Sequence, residues 1–163
     1  MSKHRFWGVV ELGWAGFSGE KTYTIPHFAK SDVEIFFGDE FDEEGEELED
    51  APSSDKLDQY EETFLAFLEH LDTIIIEIKQ KTFERYQKIY AHYYEDKSKS
   101  GKDPLYINTS EKHFKCVQDI NYIRISDDHV LRISIRYEID TEHGIEIKIQ
   151  DNKVIDIGGI AET

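Results

Sequence analysis

The chain has one cysteine, Cys116, and therefore no internal disulfide. A single cysteine with no partner fits a reducing compartment, so a cytoplasmic setting is expected. No apolar run approaches the roughly 20 residues that a membrane helix needs, and membrane partners are not expected. Residues 1–5, Met-Ser-Lys-His-Arg, lead into strand-like sequence without the apolar region of a secretory signal. Basic residues are scarce: 19 Lys and Arg stand against 35 Asp and Glu in 163 residues, giving a net charge of −16. Such a charge repels nucleic-acid phosphates and anionic lipid, so nucleic acid is excluded as a partner and a cationic protein is favoured. Signatures of catalysis are also missing. There is no Gly-rich phosphate loop, no Gly-x-Ser-x-Gly elbow and no His-Glu-x-x-His pair. Cys116 lies three residues after His113, but a buried small thiol is the simpler reading, and two ligands without a second pair do not make a zinc site. No catalytic residue, cofactor or metal is assigned, and the chain is not expected to be an enzyme.

What is present is apolar pattern. From 120 to 157 the chain reads as four short strands. Ile133, Ile135, Tyr137 and Ile139 alternate with Arg132, Ser134, Arg136 and Glu138, and Ile145, Ile147 and Ile149 alternate with Glu146, Lys148 and Gln150. Side chains change face at every residue of a strand, so this pattern predicts an antiparallel meander with one face buried. Turns are expected at Asp127-Asp128 and Asp151-Asn152, and a bulge at His143-Gly144.

Three strands are predicted before the helices: residues 5–13, 21–25 and 32–37, with glycines 13, 16 and 19 marking a connection. Ser53 or Ser54 caps a first helix whose Leu57, Tyr60, Phe64, Phe67 and Leu71 share a stripe. Asp72 is expected to cap a second helix, reaching about Asp96 after a break at His70-Leu71. Tyr86, Tyr90, Tyr93 and Tyr94 are read as a helix–sheet contact ahead of an interface. Thr109 or Ser110 caps a short third helix over 111–116. The fold class is thus α+β, one domain over 1–163: three N-terminal strands and a four-strand C-terminal meander, covered by two central helices and a short third.

Between strand three and the first helix lies the oddest segment. Nine acids fall within residues 39–50, so more than half of the net charge is local. With only Phe41 and Leu48 to bury, it is expected to be a mobile acidic loop at about 38–53. Its glycine falls at the wrong offset for a calcium loop of the EF-hand kind. Asp39, Glu40, Asp42, Glu43, Glu44, Glu46 and Glu47 are the candidate partner-binding residues.

Trp7-Gly8 in the first strand, the Tyr- and Phe-rich middle helices and the closing segment 142–154, with its Glu-His-Gly-Ile turn into a strand, resemble a group of bacterial domains found among the immunity proteins of toxin systems. The 39–50 run departs from that pattern. The resemblance implies a small non-enzymatic α+β protein that neutralises a cognate toxin domain, as in contact-dependent inhibition, with no catalytic residues to carry over. A basic nuclease toxin, occluded after electrostatic steering, is the expected partner, and a monomer is favoured. Two other readings stay open: an interaction module whose charge serves only solubility, and a small hydrolase with a dispersed site.

Overall fold

The computed structural model describes residues 2–29, 32–39, 41–46 and 48–163, with the backbone alone considered at Ser2. Eight strands form one sheet in the order of the chain: β1 (Ser2–His4), β2 (Gly8–Gly13), β3 (Gly16–Gly19), β4 (Ile35–Phe37), β5 (Ile120–Ser126), β6 (Val130–Ile135), β7 (Ile145–Gln150) and β8 (Lys153–Gly158). Every neighbouring pair is antiparallel except β4–β5, which is parallel with Phe36 opposite Arg124. A parallel pair needs a crossover. All five helices supply it: α1 (Ser54–Glu69), α2 (Leu71–Ile89), α3 (Ala91–Tyr94), α4 (Lys97–Ser100) and α5 (Ser110–Phe114). The fold is α+β, with strands at both ends of the chain and helices between them.

The isoleucine alternation does what it predicts. Ile133, Ile135, Ile145, Ile147 and Ile149 are buried beneath Leu57, Phe64, Phe67, Leu71, Ile74 and Ile78 of α1 and α2. The turn at Asp151-Asn152 joins paired Gln150 and Lys153 with φ of 49° and 64°, the double left-handed geometry of a type I′ hairpin, which matches the twist of the flanking strands. β6, however, stops at Ile135. Tyr137 and Ile139 belong to the connection before β7, and no bulge forms at His143-Gly144; the sheet's register shifts occur between Ile120 and Tyr122 and between Lys148 and Ile149. At Gly144, φ is +64° and a Cβ would lie 2.5 Å from Ile160 and 2.8 Å from the Ile135 carbonyl, so the glycine serves a close approach of the C-terminal segment.

The N-terminal half departs further from its pattern. The expected strand 5–13 is broken: residues 5–7 turn between β1 and β2. Trp7 in that turn is fully buried, and its indole N–H donates to the Leu57 carbonyl at 3.0 Å, which satisfies its one polar atom. The glycine-rich stretch expected as a connection contains β3, whereas 21–25 contributes a single bridge, Tyr23 to Val33.

The helices start where their caps predict. Ser53 Oγ accepts from Lys56 N, and Thr109 accepts from Lys112 N. The break at His70 is present, but no side chain caps α2. His70 N–H closes α1 on Ala66, while Asp72 pairs with His27 at 3.0 Å. The long helix ends at Ile89, earlier than expected, and Tyr93 and Tyr94 follow in α3. Tyr86 is buried, and Tyr90 hydrogen-bonds Asp140 of the β6–β7 connection at 2.7 Å.

Candidate functional site

A cleft of about 760 Å³ opens at the end of the sheet where β4 finishes and β6 begins. Its floor is aromatic. Phe17, Phe37 and Val130 come from strands, and Tyr60 of α1 stacks on Phe37 with ring centroids 5.9 Å apart and planes 3° from parallel. One wall is the acidic segment, which leaves β4 at Gly38. That departure is fixed: Gly38 N–H donates to the Ile125 carbonyl at 2.8 Å, and Arg124 donates to the carbonyls of Gly38 (2.9 Å) and Ala15 (2.6 Å). Within the segment, Asp42 Oδ1 accepts from the N–H groups of Glu44 and Glu46, each at 2.9 Å, and Asp42 N–H donates to the Glu46 carbonyl. An aspartate that hydrogen-bonds the backbone two residues on is an Asx turn, and here it folds 42–46 back on itself.

The opposite wall carries Asp127, in the β5–β6 turn. Lys56 Nζ lies 2.5 Å from Oδ2, and the Tyr60 hydroxyl donates to Oδ1 at 2.9 Å. The Lys56 ammonium, with help from Tyr60, holds the Asp127 carboxyl below its ordinary value. Burial, then the neighbouring Asp127, pushes the Tyr60 phenol up, so it stays a hydrogen-bond donor at every ordinary pH. Five carboxylates (Asp39, Asp42, Glu43, Asp50, Asp127) face two cations (Lys56, Arg132) around an apolar floor. That combination suits an ammonium or guanidinium group whose aliphatic stem lies on aromatic rings. It offers no activated nucleophile.

Over residues 7–162 the chain matches the family described as Domain of unknown function (DUF6985). The chain belongs to that family. No curated protein and no solved structure matches it. The family description names no activity, so for this DUF6985 chain the argument rests on its own side chains.

Of the seven acids singled out from the sequence, Asp39, Asp42 and Glu43 line the cleft. Glu44 and Glu46 are exposed on the turn outside it, and Glu40 and Glu47 lie outside the described residues. Asp42 is partly a structural group, because its carboxylate is taken up by the turn. Sequence reading missed Tyr60, Lys56, Asp127 and Arg132, which only the fold brings together. The Asp at a predicted hairpin turn was the one available hint.

Two other clusters bear on chemistry. His113 is fully buried, and its Nε2 meets the Tyr137 hydroxyl at 2.7 Å, while Nδ1 has no partner. Burial lowers its pKa to about 4, so it is neutral at pH 7. Burial and the charge of Glu138 raise the Cys116 thiol, the opposite of what a thiolate nucleophile requires. The second cluster, His4, Asp58 and Glu61, has a spacing that a metal ion would fit. His4 Nδ1, however, accepts from the N–H groups of Phe6 and Trp7 at 3.2 and 3.3 Å, so the proton sits on Nε2, which donates to Asp58 at 2.7 Å. Arg5 already brings a cation to Glu61 (2.8 Å) and Asp58 (3.6 Å). The trio is a hydrogen-bonded brace between the N-terminal strands and α1. Among the described residues no helix is long and apolar enough to cross a membrane.

Proposed function

We propose that this protein is a non-enzymatic binding protein that seats a cationic partner in the acidic cleft, and that the partner is a toxin domain whose working face it covers. The observation that carries the reading is the folding of the acidic run. Four of its carboxylates, those of Asp39, Asp42, Glu43 and Asp50, line a cleft with an aromatic floor, and the segment is tied down by Arg124 and the Asx turn. A basic nuclease suits the cleft best, since its own groove must be positive to hold phosphates. The net charge of −16 raises encounter rates with such a partner by about 10–1,000-fold at low salt. The cleft's own carboxylates then act at short range, where water and salt screen them less. The protein would work as a cytoplasmic monomer.

The test pairs two triple variants of equal charge. Asp39→Asn/Glu43→Gln/Asp50→Asn strips the cleft, and Glu44→Gln/Glu46→Gln/Glu49→Gln removes the same charge elsewhere on the segment. Each is measured by stopped-flow against basic nuclease toxin domains, beginning with any encoded by a neighbouring gene, and by rescue of growth when such a domain is expressed. The cleft variant should lose affinity and rescue. The control should lose only part of the association rate. Equal behaviour of the two would remove the cleft from the mechanism.

A further inference from the structure

We infer that the groove between α2 and the edge strand β8 is a second docking surface, which takes an extended acidic segment of a partner protein as an added strand. Among the described residues the sheet ends at β8, so one side of that strand has no neighbouring strand to pair with. Two of its main-chain groups are instead met by side chains: the Val154 carbonyl by Lys81 at 3.0 Å and the Ile157 N–H by Asp156 at 2.9 Å. A strand laid along this edge would take over such bonds with its own backbone, the mode of peptide recognition known as β-augmentation.

The walls of the groove, about 420 Å³, set the chemistry of that strand. In a chain with nearly two acids for each base, three bases outnumber two acids along this groove. Lys81, Arg85 and Lys88 recur at helical spacing on the face of α2 that overlooks β8. Of the nearby acids, Glu84 is met by Gln80 (3.3 Å), Asp156 by the Ile157 N–H, and Glu77 pairs with Lys81 at 3.8 Å, which leaves Arg85 and Lys88 as the bases of the groove without an ion pair among the described residues. Arg85 is held over the Tyr90 ring at 5.7 Å, and its Nη1 is buried without a hydrogen-bond partner. The remaining lining is apolar, with Val154 buried but Ile155 48% exposed and Ile89 44% exposed. Ile155 owes its position to the register shift, since Val154 pairs with Ile149 and Asp156 with Lys148, leaving Ile155 as the extra residue of a bulge.

The helix and strand repeats are close over the first interval, and the long Lys88 side chain spans the roughly 3 Å mismatch that accumulates by the second. Lys81 and Arg85 are about 6 Å apart along the helix axis, and Lys88 lies about 4.5 Å further. Side chains on one face of a strand recur about every 6.8 Å. A segment with carboxylates at alternate positions, ending in an apolar residue against Ile155 and Ile89, therefore places its acids along the basic stripe. The acidic cleft could not hold it.

The experiment uses a fluorescein-labelled peptide, Gly-Glu-Val-Glu-Val-Glu-Val-Leu-Gly, whose three Glu and one Leu share a strand face, and the full chain, read by fluorescence anisotropy. Two control peptides carry Lys for Glu, or Pro for the central Val, which removes a main-chain donor. The Glu peptide should bind about tenfold or more tightly than either control, and shift the amide resonances of 153–158. Arg85→Gln/Lys88→Gln and, separately, Ile155→Asp should each weaken it about tenfold, while Asp39→Asn/Glu43→Gln/Asp50→Asn leaves it unchanged. Melting curves check folding, and Lys88→Gln alone, at an exposed position, serves if the double variant does not fold. The inference is overturned by equal binding of the Pro peptide, by indifference to the variants, or by no binding at about 1 mM. It is also overturned if the chain alone self-associates in sedimentation and Arg85→Gln/Lys88→Gln abolishes this, because the occupant is then the acidic run of a second copy.

Discussion

Acidification should destabilise this protein through one residue well before its carboxylates titrate. His113 is fully buried against Tyr86 and Tyr137, with Nε2 bonded to the Tyr137 hydroxyl and Nδ1 facing no polar group. A second proton would create a buried imidazolium with an orphaned N–H, and burial accordingly lowers its pKa to about 4, against about 6.5 in an unfolded chain. The folded value is the depressed one. Between pH 6.5 and 4 the unfolded chain therefore holds a proton that the folded chain does not, and stability is lost as pH falls. Linkage at about 1.4 kcal/mol per pH unit gives a loss of about 3 kcal/mol over the whole window, and about 2 kcal/mol between pH 7 and pH 5. Urea denaturation at those two pH values, in the parent chain and in His113→Gln, isolates the effect. The amide can still meet the Tyr137 hydroxyl, and every other titration cancels in the difference. The parent should lose about 2 kcal/mol more than the variant. Parallel losses in the two proteins would refute the argument, because they would mean that the folded imidazole takes up its proton as freely as the unfolded one.

Three further outcomes follow from packing. Gly144→Ala, at φ +64° and facing Ile160 and the Ile135 carbonyl, should cost about 1–3 kcal/mol and lower the melting temperature by several degrees. Trp7→Ala, which removes a fully buried indole and leaves the Leu57 carbonyl without that donor, should cost about 3–5 kcal/mol in urea denaturation. Arg124→Lys keeps the charge but loses the fork that spans the Gly38 and Ala15 carbonyls. It should speed amide exchange in residues 38–46 while leaving exchange in β6 and β7 unchanged.

The C-terminal meander could be read from the sequence because its pairing is local. Strict alternation fixes which face is buried, and Asp151-Asn152 supplies the left-handed turn. Where alternation continued past Ile135, it misled. Tyr137 is as buried as its pattern demands, but it meets His113 from a connection and not from a strand. β3 was hidden because its glycines signal a turn, yet at Gly19 a Cβ would lie 3.0 Å from the Trp7 carbonyl, so glycine there lets the β1–β2 turn approach the strand closely. Trp7 likewise looked like a strand residue and is a plug in a turn. The parallel β4–β5 pair leaves no local trace, since its partners are separated by all the helices. The same distance explains the cleft. The acidic wall is continuous in sequence and was visible, whereas Tyr60, Lys56 and Asp127 reach it from two other elements.

The parallel join also has a consequence for biosynthesis. β4 leaves the ribosome long before β5, its only neighbour on that side, has been translated. During that interval Phe36 and Phe37, both buried in the finished sheet, have nothing to cover one of their flanks. The densest block of negative charge follows immediately after them, and like-charged chains emerging from neighbouring ribosomes repel one another. Nascent chains arrested before residue 120 should therefore be cut readily by protease within β2 to β4 but remain dispersed, and exchanging the acids of 39–50 for serine should make the same arrested chains clump. The acidic segment, proposed above as a partner site, would then serve first as a chaperone to the strand beside it.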